Sequence, residues 1–226
     1  MERRLEPELM DEDIQARAYA AADFEEPHHR FMELFRETFD LEELHGCALD
    51  LGCGPGDITF RFARAFPGCT VHGVDGADAM LHYGRRVLSE DEDLGRRGRL
   101  LQGKLPHASL PLERYAVIVS NSLLHHLPDP QVLWSSVRRY ADQETAIFIM
   151  DLVRPASPEA ALALVDAYAA DEPEILRRDF HNSLLAAFEP DEVKEQLRRA
   201  GMSELDVAVV SDRHLTVSGR LNPAVA

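Results

Sequence analysis

The residues best equipped for chemistry gather between Cys47 and Thr59, in the stretch Cys-Ala-Leu-Asp-Leu-Gly-Cys-Gly-Pro-Gly-Asp-Ile-Thr. An apolar run ends in Asp50 and passes through Gly52, Gly54 and Gly56. It then gives way to Ile58, Phe60, Phe62, Ala63 and Phe66 at helical spacing. The pattern predicts a buried strand, a tight glycine turn and a helix. Glycine supplies positive φ and lets the backbone lie against a ligand with no Cβ between them, while the helix start aims its amides into the same space. A ligand is therefore expected over this turn.

Two ligand classes compete for it. The dinucleotide fingerprint is Gly-x-Gly-x-x-Gly. Counted from Gly52 and Gly54, its third glycine falls where the chain has Asp57, and Gly56 comes one residue early. A carboxylate in the first helical turn repels a pyrophosphate but tolerates a cofactor that has no phosphate and carries a positive centre. Asp50-Leu-Gly-Cys-Gly-Pro-Gly resembles the first motif of class I S-adenosylmethionine-dependent methyltransferases. The likeness runs from Leu44 to about Gly219 and is to the small-molecule group of ubiquinone- and menaquinone-biosynthesis type (type 11). It implies S-adenosyl-L-methionine as cofactor, with contacts at Asp50, Gly52, Cys53 and Gly54. It also implies an α/β fold: a Rossmann-like seven-stranded mixed sheet, six strands parallel and one antiparallel, with helices on both faces.

The elements that must position these residues follow in order. After a break at Pro67-Gly68, Cys69 to Asp75 reads as a second strand ending in an acid. The gap from Gly56 to Asp75 is close to the ~20 residues that set a carboxylate beside a ribose, two acceptors facing two hydroxyls. Capping the helix that begins near Gly76 is the structural alternative. The resemblance adds Gly76 and Met80 to the cofactor set. Ser89 to Gly98 is expected as a charged loop, and Arg99 to Lys104 as an edge strand. In the family the residue after Gly103 is frequently an aspartate that accepts from the adenine amino group. Here it is Lys104, which has no acceptor. Gly103, Lys104 and Leu105 remain the expected adenine side, with the lost contact moved to a carbonyl or another side chain.

Tyr115 to Ser122 reads as a central strand, because its β-branched run has no polar face. Asn121 and Ser122 at its carboxyl end adjoin the crevice where open α/β sheets bind ligands. Methylases of base amino groups carry Asp or Asn followed by Pro-Pro and an aromatic at this site, which Asn121-Ser-Leu-Leu lacks. Methyl transfer from a sulfonium is an in-line displacement that mainly needs alignment. Where the acceptor must lose a proton, a histidine is a suitable base, so His125 and His126 are the catalytic candidates. The plain alternative is a pair of helix-entry residues bonded to backbone. A metal site from His125, His126 and Asp129 is not expected.

A fifth strand, Ala146 to Val153, ends at Arg154-Pro155. Residues 154–187 form an insertion with a helix from Pro158 to Ala170 and a polar tract, Arg177 to Ser183, expected in the acceptor pocket. Arg154, Arg178 and His181 are its candidate substrate contacts. A helix from Glu189 to Ala200 and a hairpin over Leu205–Ser218 close the chain. Residues 1–43 carry two helices, Ile14 to Ala22 and His28 to Phe39, expected as a lid over cofactor and acceptor. Tyr19, Phe24, His28 and His29 are the lid candidates, with Tyr19 and His28 taken as substrate contacts.

At 226 residues the chain fits one decorated α/β domain. A net charge of −16, with Lys104 and Lys194 as the only lysines, argues against a nucleic-acid partner. The acceptor is expected to be a small molecule. Three cysteines without Cys-x-x-Cys spacing suggest reduced thiols in a cytoplasmic protein. No run approaches the ~18 apolar residues of a membrane helix, and the start lacks a signal peptide's apolar core. A homodimer is compatible with all of this. Two other readings stay open: a non-catalytic S-adenosylmethionine-binding protein, and an enzyme using a carboxylated form of the cofactor.

Overall fold

The seven strands are β1 (Gly46–Leu51), β2 (Cys69–Asp75), β3 (Gly98–Gln102), β4 (Val117–Asn121), β5 (Ala146–Leu152), β6 (Asp206–Val209) and β7 (His214–Gly219). They form one sheet in the order β3-β2-β1-β4-β5-β7-β6. β1 to β5 pair in parallel, and β7 runs antiparallel to both β5 and β6, so six strands share one direction. This is the sheet the resemblance implies. The computed structural model describes residues 1–7, 9 and 11–221.

Alternation along the strands builds two cores. On one face Leu49, Leu51, Ile118 and Ile147 pack with Trp134 and Val137 of α6 (Gln131–Tyr140) and Val193 and Leu197 of α9 (Pro190–Ala200). On the other, Ala48, Val117, Val119 and Phe148 meet Phe62 of α3 (Asp57–Ala65) and Phe31 and Phe35 of α2 (Glu25–Phe39). β1 lies between β2 and β4, and the chain runs out to β3 before returning to β4. The strand order therefore reverses beside β1, and a crevice opens at the carboxyl ends of β1 and β4.

Three elements differ from the sequence expectation. The charged stretch after α4 (Asp78–Glu90) is a short helix, α5 (Glu92–Arg97). Asp91 caps it by accepting from the amides of Asp93 and Leu94, and Leu94 is buried. The tract Arg177 to Ser183 lies inside a helix, α8 (Glu174–Ala186), following α7 (Pro158–Tyr168). No glycine or proline interrupts it, and Leu176, Leu184 and Leu185 give it a buried stripe. Finally, α2 is a core helix: Phe35 packs edge-on against Phe62, Phe66 and Phe148. The expected lid reduces to α1 (Asp13–Ala21), the start of α2 and the link between them. α1 lies against α4 and α8, with Ala16 buried on Ala77 and Met80.

Candidate active site

The turn after β1 is built by β2. The amides of Gly52 and Cys53 both donate to the Val74 carbonyl, at 2.8 and 3.1 Å. The Gly54 amide donates to Asp75 Oδ2 at 2.8 Å, while Asp75 Oδ1 accepts from Ala77 at 2.8 Å. Gly52 has φ +72°, and a Cβ there would strike Leu123 at 2.7 Å. A Cβ on Gly54 would instead meet nothing within 4 Å, so its Cα faces open space over the turn. Behind the turn, Asp50 is 1% exposed and accepts the Thr59 hydroxyl at 2.6 Å. Burial pushes its carboxyl up to about 7.

All twelve residues expected at the cofactor line one cavity of about 240 Å³: Asp50, Gly52, Cys53, Gly54, Asp75, Gly76, Met80, Gly103, Lys104, Leu105, Asn121 and Ser122. Asp75 lines this cavity and also caps the start of α4 through Ala77, the structural alternative. Ser122 holds φ +56°, an uncommon conformation for a side-chain-bearing residue, right after β4. Beside it, Asn121 Oδ1 is buried and makes no hydrogen bond among the described residues. An orphaned acceptor and an open glycine Cα on one wall fit a ligand that supplies donors and lies flat on the turn. Asp57, at the N-terminus of α3, is held by His28 Nδ1 and Arg61 Nε.

A second cavity of about 350 Å³ adjoins the first. The two share Tyr19, Asp23, Phe24, His28, Asn121, Ser122 and His126. The second continues along Tyr168, Asp179, Phe180, Ser183, Arg213 and His214. The Tyr19 and Phe24 rings touch at a tilt, centroids 4.7 Å apart, and burial pushes the Tyr19 phenol up to about 12. Arg213 lies over the Tyr168 ring at 3.3 Å and pairs with Asp212 at 3.1 Å. α8 is tied to α1 across this space, Gln15 donating to Asp179 at 2.6 Å.

His125 and His126 leave β4 in a 3-10 turn, Leu124–His126, and both line the second cavity. His125 is 2% exposed, with Nδ1 at 2.6 Å from Asp151 Oδ1. Burial alone would lower its pKa, but the Asp151 charge and hydrogen bond outweigh it and raise the imidazole. Burial, then the neighbouring His125, pushes His126 down to about 3, leaving a neutral ring. Glu6 lies against both rings.

The remaining expectations place differently. Arg154 lines neither cavity: its side chain is 5% exposed and pairs with Glu189 at 3.0 Å and Glu192 at 2.9 Å, clamping the start of α9. Arg178 is an exposed partner of Asp179 and also lines neither cavity. His181 is half-buried outside both cavities, although its Nε2 has no hydrogen bond. His29 is exposed on α2 beside Glu33. Left unread were the Tyr168–Arg213 pair, which lines the second cavity, and Asp151 and Glu6, which lie against the two histidines but line neither cavity. Asp151 had a signal, an acid inside the apolar run of β5; Glu6 and the pair had none.

Residues 48–143 match the family model described as a methyltransferase domain. Protein arginine N-methyltransferase 1 of Schizosaccharomyces pombe is 32% identical over 50% of this chain, which spans only 28% of that protein. An uncharacterized methyltransferase of Mycobacterium tuberculosis is 24% identical over 67% of this chain and 74% of its own length. A SAM-dependent methyltransferase from Aquifex aeolicus superposes with TM-score 0.66 at 15% identity, over 93% of this chain and 99% of that one. Among the described residues no helix is long and apolar enough to cross a membrane.

Proposed function

We propose that this chain, a class I S-adenosylmethionine-dependent methyltransferase, transfers the methyl group to a small molecule held in the second cavity. One observation carries the reading: the two cavities meet at a common wall formed by Tyr19, Asp23, Phe24, His28, Asn121, Ser122 and His126. In-line displacement requires donor and acceptor on opposite sides of a single methyl group, and two adjoining cavities supply that alignment. The second space, about 350 Å³, is within the range of small-molecule sites and combines aromatic walls such as Phe24 and Phe180 with polar and charged side chains, Asp23, Glu26, Asp179 and Arg213 among them.

The cofactor supplies an activated methyl. The protein's own work is to hold and align. The Gly52–Gly54 turn offers a flat backbone face, Asp75 presents acceptors at the end of β2, and Met80, Gly103 and Leu105 wall the far side. Lys104 lies on the same wall in place of the family's adenine-binding acid. Tyr19, Phe24 and His28 close over the junction and exclude water from it. His125 and His126 line the acceptor cavity, His126 at the junction itself, and are the groups that meet the acceptor's nucleophilic atom.

Calorimetry tests the first half: the protein should bind S-adenosylmethionine and S-adenosylhomocysteine, and neither NAD nor NADP. A panel of small hydroxyl, thiol and amine acceptors, scored by S-adenosylhomocysteine release, tests the second. Cofactor binding without turnover on any acceptor would favour a non-catalytic binder. Turnover on protein substrates alone would overturn the small-molecule acceptor.

A further inference from the structure

Glu6, His125 and His126 bring one ligand atom each to within 4.8 Å of one another, and the two histidines line the acceptor cavity. We propose that they bind one divalent first-row transition ion, with zinc the best fit.

The geometry comes first. Glu6 Oε1 lies 3.2 Å from His126 Nδ1 and 3.5 Å from His125 Nε2. Two atoms each bonded at about 2.0–2.1 Å to one tetrahedral ion stand ~3.3–3.4 Å apart. The observed separations bracket that edge. The second observation is independent. Glu6 Oε1 and His126 Nδ1 are both buried, and despite their closeness neither makes a hydrogen bond among the described residues. The Glu6 side chain is only 8% exposed. Buried polar atoms almost always have partners, so two orphans aimed at one point mark a missing occupant.

The supporting groups fit the same occupant. His125 Nδ1 lies 2.6 Å from Asp151, and donation there leaves the Nε2 lone pair facing Glu6. A carboxylate behind an imidazole is how metal-binding histidines are oriented. Glu6 Oε2 accepts from the Ser183 hydroxyl at 3.3 Å, which fixes the carboxylate plane. Arg3 donates to the carbonyls of His125 and Leu127, at 2.8 and 3.1 Å, and so ties the segment carrying Glu6 to the turn. Two histidines and a glutamate with a fourth position left open is the donor set of catalytic zinc. His125, His126 and Ser183 all line the acceptor cavity, so the open position faces the acceptor.

Binding of the ion stands on these contacts alone; its catalytic use rests on the function proposed above. An acceptor hydroxyl or thiol that binds the ion releases its proton to solvent. Its lone pair then forms the bond to the methyl carbon as the carbon–sulfur bond breaks. That electron pair stays on the sulfur of S-adenosylhomocysteine.

The competing occupant is a proton, shared by His125 between Asp151 and Glu6. Titrating tag-free, EDTA-treated protein with zinc chloride decides between them. One ion should bind per chain and raise the melting temperature. Glu6→Gln should melt within a few degrees of wild type without zinc, bind zinc at least about tenfold more weakly, and lose the zinc-dependent rise. His126→Ala should do the same, and Glu6→Gln alone decides if that variant does not fold. No binding by wild type, or equal binding by Glu6→Gln, overturns the site. S-adenosylmethionine titration of the same samples separates the two readings: retained cofactor binding without zinc binding overturns the metal site and leaves the methyltransferase standing.

Discussion

Asp75 Oδ2 accepts the Gly54 amide hydrogen at 2.8 Å, so the acid at the end of β2 holds the glycine turn that follows β1. Its other oxygen holds the Ala77 amide at the start of α4. The shape of the cofactor cradle and the docking of the helix beneath it thus depend on one carboxylate. The carboxylate also lines the cavity and has acceptor capacity beyond these two bonds.

Replacing Asp75 by Ala should therefore weaken two things together. S-adenosylmethionine affinity should fall by about tenfold or more, and the apo protein should lose about 1–3 kcal/mol because two amides lose their acceptor. For a domain of this size that is a melting shift of roughly 2–4 °C per kcal/mol. Reading Asp75 only as a ribose ligand predicts an unchanged apo melt, so calorimetry and thermal denaturation of one variant separate the two accounts.

Asp50 gives the cradle a pH dependence. Its carboxyl is pushed up to about 7 by burial, from an unfolded value near 4. The folded state then holds the proton more tightly, so this group's stabilisation is full below about pH 4 and is lost as pH rises through about 7. Asp50→Asn should remove that slope, making the variant relatively more stable than wild type at pH 8 than at pH 5, by a few kcal/mol at most. Urea denaturation of both proteins at the two pH values measures it. Equal differences at both pH values would mean that Asp50 is ionised throughout.

Much of this architecture was legible because it is local. The run from Cys47 to Thr59 contains a strand, its turn and its helix, and the twelve residues expected at the cofactor, read from strand ends and from the family resemblance, line one cavity. What was not legible depends on contacts across long sequence separations. Nothing in the spacing around Arg154 says that Glu189 and Glu192 will cover it, or that Glu6 will reach His125. The polar tract Arg177 to Ser183 looked like a binding loop because its residue types offer donors and acceptors. Helical geometry then divided those types between faces, aiming Asp179, Phe180 and Ser183 at the cavity while Arg178 points to solvent.

The same cross-chain logic predicts how α2 behaves. Phe35 is fully buried among Phe62, Phe66 and Phe148, so Phe35→Ala should cost about 3–5 kcal/mol of stability. A helix serving only as a mobile lid would lose affinity for ligands and little stability. Denaturant unfolding of the apo variant distinguishes the two, and a loss below about 1 kcal/mol would return α2 to the lid.

Arg154 should behave likewise as a structural residue. Its guanidinium is buried, but both carboxylate partners are nearly half exposed, which discounts the strong penalty of a fully buried pair. Arg154→Ala should lower stability by about 1–3 kcal/mol and leave the KM values for cofactor and acceptor unchanged. An acceptor KM raised tenfold with an unaltered melt would restore it to the pocket.

The neighbouring pair on α8 offers the sharpest contrast. Arg178 is solvent-exposed, and its ion pair with Asp179 is of the kind that contributes little. Arg178→Ala should change neither melting temperature nor kinetics. Asp179 faces the second cavity and is tied to α1 by Gln15. Asp179→Asn can keep the Gln15 bond through its amide oxygen but removes the charge presented to an acceptor. Losing one hydrogen bond to a charged group costs about 1.5–3 kcal/mol, so acceptor KM should rise at least about tenfold while S-adenosylmethionine affinity stays within about twofold. Steady-state kinetics on the two single variants, with whichever acceptor the screen identifies, gives the answer: an effect in Arg178→Ala and none in Asp179→Asn would place the acceptor on the outer face of α8 and not in the cavity beneath it.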